Sequence, residues 1–473
     1  MLWAFFIYGL VVLAAGLYAY TRFRSPSALI SSGDFPSVSA QISVYGILFV
    51  SVVPTAASGG NSVKGILIAS GACLGMILSY LFICRRIRVY SELSGHSKTL
   101  PEFLENRFDD KNGILRAFSA SVILVFGILL SASVLDAACG LVSAIFGIEK
   151  ITLLVTVCAF SVIYLFMGCL AGVTSADLTR GLVFLAFLVF LIVAAFRLFD
   201  PSGIVDVPDE ILLFKSNFNV TETVFSDILS ALGCILLFFG LPQVLTRFIG
   251  LRERRHKKRR LVLCAVWLVP AAAGSFLVGF CAPPNAPVAE IFGSLAENSS
   301  DIPAAVMIAA VFSALMSAAD SSCAISAAVL SHDLFGSDRS KNVLFTRLCF
   351  AGAMVAVFIY TVIGDLLPSD IILPVEFLLS AFASAFAPTV LFCLYSEKIT
   401  SLGSVCSMIA GILSSSVLFY RGGPIGISGI AILPLSFLFS SAVIFIVSLL
   451  DKRKPTARMR NEFGRTREIV RMK

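Results

Sequence analysis

The sequence predicts an all-α, polytopic membrane protein, and three observations carry that prediction. The chain is 58% hydrophobic and only 14% charged, where a soluble protein carries about a quarter charged residues. Apolar stretches of about 20 residues recur along it, each long enough to cross a hydrocarbon core of ~30 Å. Mean hydropathy is +0.94, and the alternating ten-residue pattern of a membrane barrel is missing from the sequence.

Thirteen spans follow from the hydrophobic windows, near 2–20, 37–57, 65–84, 114–146, 151–170, 174–198, 225–246, 261–282, 302–330, 343–364, 370–395, 402–420 and 426–450. The first, in MLWAFFIYGLVVLAAGLYAYTRFR, lacks a basic n-region and a small-residue cleavage site, so it reads as a retained span rather than a signal peptide. With the N-terminus outside, 31 of the 36 Lys and Arg fall on the cytoplasmic side, and only Lys64, Lys150, Arg197, Lys215 and Arg421 fall opposite. That asymmetry places the N-terminus outside and the C-terminus in the cytoplasm of a cell-membrane protein. Residues 1–450 read as one transmembrane unit and 451–473 as a basic cytoplasmic tail, too short for a soluble domain. The block RERRHKKRR, 252–260, reads as a topology-determining loop beside membrane lipid, not as a nucleic-acid site.

The twelve cysteines sit singly, mostly in apolar segments, and no Cys/His metal spacing occurs among them and the three histidines. No cofactor and no transition metal are expected, and no nucleophile–base pairing points to an enzyme.

Several polar residues stand where apolar ones are expected. In TLPEF, Thr99 and Glu102 have capping-box spacing with Pro101 in the first turn, which predicts a short helix after the third span. In GCLAGVTSADLTRG, 168–181, Thr174 or Ser175 could cap the sixth span, with Asp177 favoured by the helix dipole; the alternative is a polar site one turn into the membrane. FFGLPQVLTRF, 238–248, puts Gly240 and Pro242 inside the seventh span, where a break can expose backbone to a cavity or only kink the helix. In SALMSAADSSCAIS, 313–326, Ala314, Ser317 and Ser321 share one helical face and Asp320 lies at its edge. A carboxylate at a helix centre in a membrane costs ~2.5 kcal/mol or more. Serines bonding back to their own helix explain the hydroxyls but not Asp320; hard oxygen ligands of this kind suit a small cation or a proton. Asp136 and Glu376 are two further intramembrane acids, read as hydrogen-bond donors kept protonated by burial.

These stretches resemble the sodium:solute symporter family, particularly its sodium/proline and sodium/pantothenate branches. RRIRVYSE and KTLPEFLENRFDDKNGILRAFSA are similar to a loop and helix of that family. GCLAGVTSADLTRG resembles its GGFLAVSWTDFFQG pattern, FFGLPQVLTRF resembles FGQPHIIVRF, and ALMSAADSS resembles AIMSTxxSQ. LSAFASAFAPTVLFCLYSEKITSLGSVCSMIAGI follows the tenth core helix and the next span, so the likeness covers roughly residues 5 to 420.

The resemblance implies a leucine-transporter-type (LeuT) fold: one extra N-terminal helix, two inverted five-helix repeats at about 37–198 and 225–395, and two more helices. It implies one sodium held by positions matching Ala314, Ser317 and Ala318 and by carbonyls of Tyr45 and Leu48. In some members a second sodium uses an aspartate matching Asp177 and hydroxyls matching Ser317, Asp320 and Ser321. The solute would border Cys234, Phe238, Gly240 and Pro242, with Glu376 joining them. The chain departs from the pattern at Ala318, where relatives carry a hydroxyl, and near Ile47, where proline transporters carry Asp. It departs again at Cys234 and Phe238, where those transporters have Trp and Tyr. The expected function is symport of sodium, or alternatively protons, with a small organic solute such as a proline-like amino acid or pantothenate-like carboxylate. A non-transporting sensor on the same scaffold is the other reading.

Overall fold

The computed structural model describes residues 2–22, 29–30, 62–198, 225–250, 301–336, 338–366, 372–421, 431–451 and 456–471. The predicted second and eighth spans, the 252–260 block, Tyr45 and Leu48 lie outside them. The other predicted spans all fall on helices: α1 (Leu2–Arg22), α2 (Ser62–Ser79), α5 (Ile114–Phe146), α6 (Lys150–Leu198), α7 (Phe225–Gly240), α9 (Asp301–Val329), α10 (Val343–Leu366), α11 (Val375–Tyr395), α12 (Ser401–Tyr420) and α13 (Ile432–Leu450). Shorter helices are α3 (Arg85–Leu93), α4 (Leu100–Phe108), α8 (Pro242–Gly250) and α14 (Ala457–Arg471). Among the described residues seven helices are long and apolar enough to cross a membrane, and the bent pair α7–α8 makes an eighth.

At the centre is α9, whose most apolar window is entirely buried. It packs against α5, α6 and α10, while α7 is held between α2 and α11. Small residues allow the close approaches. A Cβ on Gly75 of α2 would fall on the backbone of Cys234 and Ile235 in α7, and one on Gly71 would fall on Ala231. This GxxxG spacing replaces the hydrophobic drive that lipid-bathed helices lack.

The short helix predicted after the third span is α4. The Glu102 amide donates to Thr99 Oγ1 at 3.3 Å, as its cap requires, but the Glu102 carboxylate accepts from the Lys98 amide, at 2.7 Å, rather than from that of the cap residue. Thr99 Oγ1 also donates to Asp333, in the π-helical turn Leu330–Leu334 that continues α9, and Arg116 at the start of α5 donates to both Asp333 and Glu105 at 2.8 Å. One network therefore ties α4, α5 and α9. Burial alone would raise the Glu102 carboxyl, but hydrogen bonds from His332 and the Lys98 amide hold it below its ordinary value. Its stabilisation is thus complete above the unfolded-state value and lost as the pH falls through the folded one. Thr99→Ala removes both the cap and the Asp333 contact. The expected loss is about 1–2 kcal/mol, read as a lower unfolding midpoint in detergent; an unchanged midpoint would mean the cap is not formed.

The basic tail folds into α14, which docks on α3. Met459 and Phe463 are buried, and Arg85 donates to the Ile469 carbonyl at 2.9 Å. Beside it the buried Arg107 donates to the carbonyls of Cys393 (2.8 Å) and Ser396 (3.1 Å) at the C-terminus of α11, where a cation suits the helix dipole.

The helices depart from expectation at several points. Neither Thr174 nor Ser175 caps a helix: Thr174 donates to Leu170 O at 2.8 Å and Ser175 to Gly172 O at 2.8 Å. The break between the fifth and sixth spans is earlier and only one residue wide, at Cys169 (φ 49°, ψ −141°), inside α6. Asp136 has a cationic partner: its carboxyl lies 2.6 Å from Lys150 Nζ, which also reaches Asp365 at 2.7 Å, so one lysine joins α5, α6 and α10. Of the 31 cations assigned to the cytoplasmic side, Arg180 and Arg247 are not loop residues at all, being 2% exposed within the bundle.

Candidate functional site

Three elements converge on a buried polar cluster: α6 just beyond its break, the short α8, and the middle of α9. The break at Cys169 frees α6 to turn its second segment, carrying Asp177 and Arg180 one helical turn apart, toward α9. Helix α8 starts at Pro242, where a missing amide hydrogen costs nothing, and is bent from α7 by 42°. Gln243 and Arg247, four residues apart on α8, both face α9: Gln243 Nε2 donates to Ser322 Oγ at 2.9 Å and Arg247 Nη2 to Ser321 Oγ at 3.0 Å.

Asp177, Asp320, Ser317 and Ser321 are all wholly buried. Ser317 donates to Asp177 Oδ1 at 2.6 Å, and Arg247 Nη2 stands 3.2 Å from Asp177 Oδ2. Ser321 Oγ reaches that same oxygen at 3.5 Å. Arg180 bridges the two acids, at 2.5 Å from Asp320 Oδ2 and 3.6 Å from Asp177 Oδ1. The cluster is thus two carboxylates against two guanidiniums, with no net charge. Such balance is what permits ionised groups in a buried place, since an isolated one would carry a desolvation penalty of several kcal/mol.

The structure brings together Asp177, Ser317, Asp320 and Ser321, as expected from the sequence, but adds Arg180 and Arg247, which sequence reasoning missed. The serines differ in their partners, Ser313 donating to the Arg180 carbonyl at 3.4 Å and Ser326 reaching the Ile123 carbonyl of α5 at 3.2 Å. Ser322 and Ser326 bond back to Ala318 O (2.9 Å) and Ser322 O (3.0 Å) on their own helix, whereas Ser317 and Ser321 turn to Asp177. Ala314 and Ala318 are buried on α9 beside them.

The residues expected to border a solute run along the contact of α7 with α11. Cys234 and Phe238, one turn apart, are fully buried. The Phe238 carbonyl accepts from Ser79 Oγ at 2.8 Å, so that backbone group is satisfied within the bundle. Gly240, at the bend, presses on the backbone of Ala383 and Ala387. Glu376 lies in the first turn of α11 and is half-buried. Two cavities, of 470 and 270 Å³, are lined by other residues; the smaller, mostly apolar one reaches Tyr164 and Arg180 from the side of α1.

Comparison with known proteins bears on this arrangement. The model of the sodium:solute symporter family matches residues 41–411. A sodium/proline symporter of Staphylococcus aureus (strain bovine RF122 / ET3-1) is 27% identical over 443 residues, covering 88% of this chain and 84% of its own. A second, from Staphylococcus aureus, is 27% identical over 430 residues, covering 86% and 83%. Among solved structures, a Na+-coupled sialic acid symporter in a substrate-bound outward-open state superposes with a TM-score of 0.73. It covers 96% of this chain and 98% of that one at 18% identity, a likeness of fold.

Proposed function

The chain belongs to the sodium:solute symporter family, so it is a sodium-coupled membrane transporter and not an enzyme, and from that premise we propose that it takes up a small amino acid or carboxylate by alternating access. The observation that carries this reading is the bent pair α7–α8. Its break at Gly240 and Pro242 lies between Cys234 and Phe238, expected to border the solute, and the α8 side chains that reach the buried polar cluster. Broken helices of this kind build substrate and ion sites in transporters. Movement of the repeat at about 37–198 against that at about 225–395 would open the site to either side, with N-terminus outside and C-terminus cytoplasmic. The sodium ion would use the Ser317 hydroxyl with Ala314 and Ala318 on α9, and carbonyls of Tyr45 and Leu48. Cys234, Phe238, Gly240, Pro242 and Glu376 would border the solute, whose class is that of the proline transported by its relatives or of a pantothenate-like carboxylate.

The test is uptake of labelled L-proline and pantothenate into proteoliposomes, under an inward sodium gradient or an inward proton gradient. Sodium-driven accumulation, reduced at least tenfold in Ser317→Ala, is the expected result. Accumulation under a proton gradient alone would overturn sodium coupling. Binding of either compound with no accumulation under either gradient would leave a sensor on a transporter scaffold.

A further inference from the structure

We infer that Arg180 is a tethered cation, its guanidinium bridging Asp177 and Asp320 where a second sodium ion would otherwise bind. The inference rests on the sodium-coupled reading for its meaning, but it is a statement about one site and not about coupling as a whole.

Three observations carry it. The first is charge. Asp177 and Asp320 are already matched by Arg247 and Arg180, all four at most 2% exposed. An added sodium would bring an unbalanced positive charge into a buried neutral cluster, an outcome burial penalises heavily. The second is the commitment of the oxygens. Asp177 Oδ1 takes the Ser317 hydroxyl and lies near Arg180, Asp177 Oδ2 takes Arg247, and Asp320 Oδ2 takes Arg180. Ser321 Oγ accepts from Arg247. Only Asp320 Oδ1 among the carboxylate oxygens has no hydrogen-bond partner within the described residues, and one oxygen is not a cage for a hard cation.

The third is that the two unusual charges are partners. Asp177 and Arg247 have counterparts in the family patterns, whereas Gln stands at the place of Arg180, and the resemblance implies a hydroxyl at that of Asp320. These two departures are 140 residues apart in the chain and meet at 2.5 Å. A gained cation and a gained anion in direct contact leave the net charge of the site unchanged while filling it. Ser317 keeps its acceptor lone pairs, since it acts toward Asp177 as a donor, so the first sodium site is not consumed by this arrangement.

Equilibrium binding of ²²Na⁺ to the purified full-length protein tests this directly. Arg180→Gln, which leaves Asp320 without its cation, is expected to bind about one more sodium per chain than wild type, and adding Asp177→Asn should abolish that gain. If Arg180→Gln does not fold, Arg180→Met carries the test with the same expected gain. Equal stoichiometry in variant and wild type overturns the inference, as does a wild type that already binds two sodium ions. A wild type that binds none, with a variant that gains one, would overturn sodium coupling while leaving the tethered cation in place.

Discussion

Arg247→Met is expected to destabilise the protein by about 3–5 kcal/mol, the usual cost of removing one partner from a buried ion pair. Arg247 Nη2 is 3.2 Å from Asp177 Oδ2, and both side chains are at most 2% exposed. Arg180 compensates little, because it stands 3.6 Å from the other Asp177 oxygen and is committed to Asp320. The loss should therefore belong to Asp177. Combining Arg247→Met with Asp177→Asn removes the stranded charge and is expected to recover most of it, since replacing a whole buried pair is often nearly neutral. The unfolding midpoints of wild type, both single variants and the double variant, in mixed detergent micelles, give the coupling energy. Independent, additive effects would mean the two groups are not the ion pair described here.

Much of the fold was legible because its signal is long and redundant. Span length, apolar composition and the few exposed polar interruptions all repeat through the chain, and the predicted spans within the described residues fall on helices. The ion cluster was legible by half. Asp177, Ser317, Asp320 and Ser321 announce themselves as polar groups in apolar runs, which lipid tolerates only for a reason. Arg180 and Arg247 do not, because an arginine near the end of a span ordinarily snorkels to the interface and so reads as a cytoplasmic charge. Two signals were available: Arg180 is three residues after Asp177, and Arg247 four after Gln243, spacings that put each pair on one helical face. The break in α6 had no such signal. It falls on Cys169 in a positive-φ conformation that a non-glycine residue seldom adopts, five or six residues before the cap expected at Thr174 or Ser175. The Lys150 bridge was equally hidden, since nothing local pairs Asp136 with Asp365.

Gly240 should be the most size-sensitive position of the bent pair. A Cβ built there would overlap the Ala383 carbonyl and crowd the backbone of Ala383 and Ala387 in α11. Those atoms belong to a helix backbone and cannot swing aside as a side-chain tip would, so α7 and α11 would have to part. Helix propensity argues the other way, favouring alanine over glycine by about 1 kcal/mol, which makes the sign of the change informative. Gly240→Ala is expected to cost about 1–3 kcal/mol, the range for overpacking, and Gly240→Leu more. Solute uptake should fall at least tenfold in Gly240→Leu, because the bend joins the proposed solute contacts to α8. Gly140, inside α5 with open space where its Cβ would be, is the control: Gly140→Ala should match or exceed wild type in thermal stability. A Gly240→Ala variant that melts with Gly140→Ala would mean that α7 and α11 do not approach as closely as described, and the bend would then owe its position to Pro242 alone.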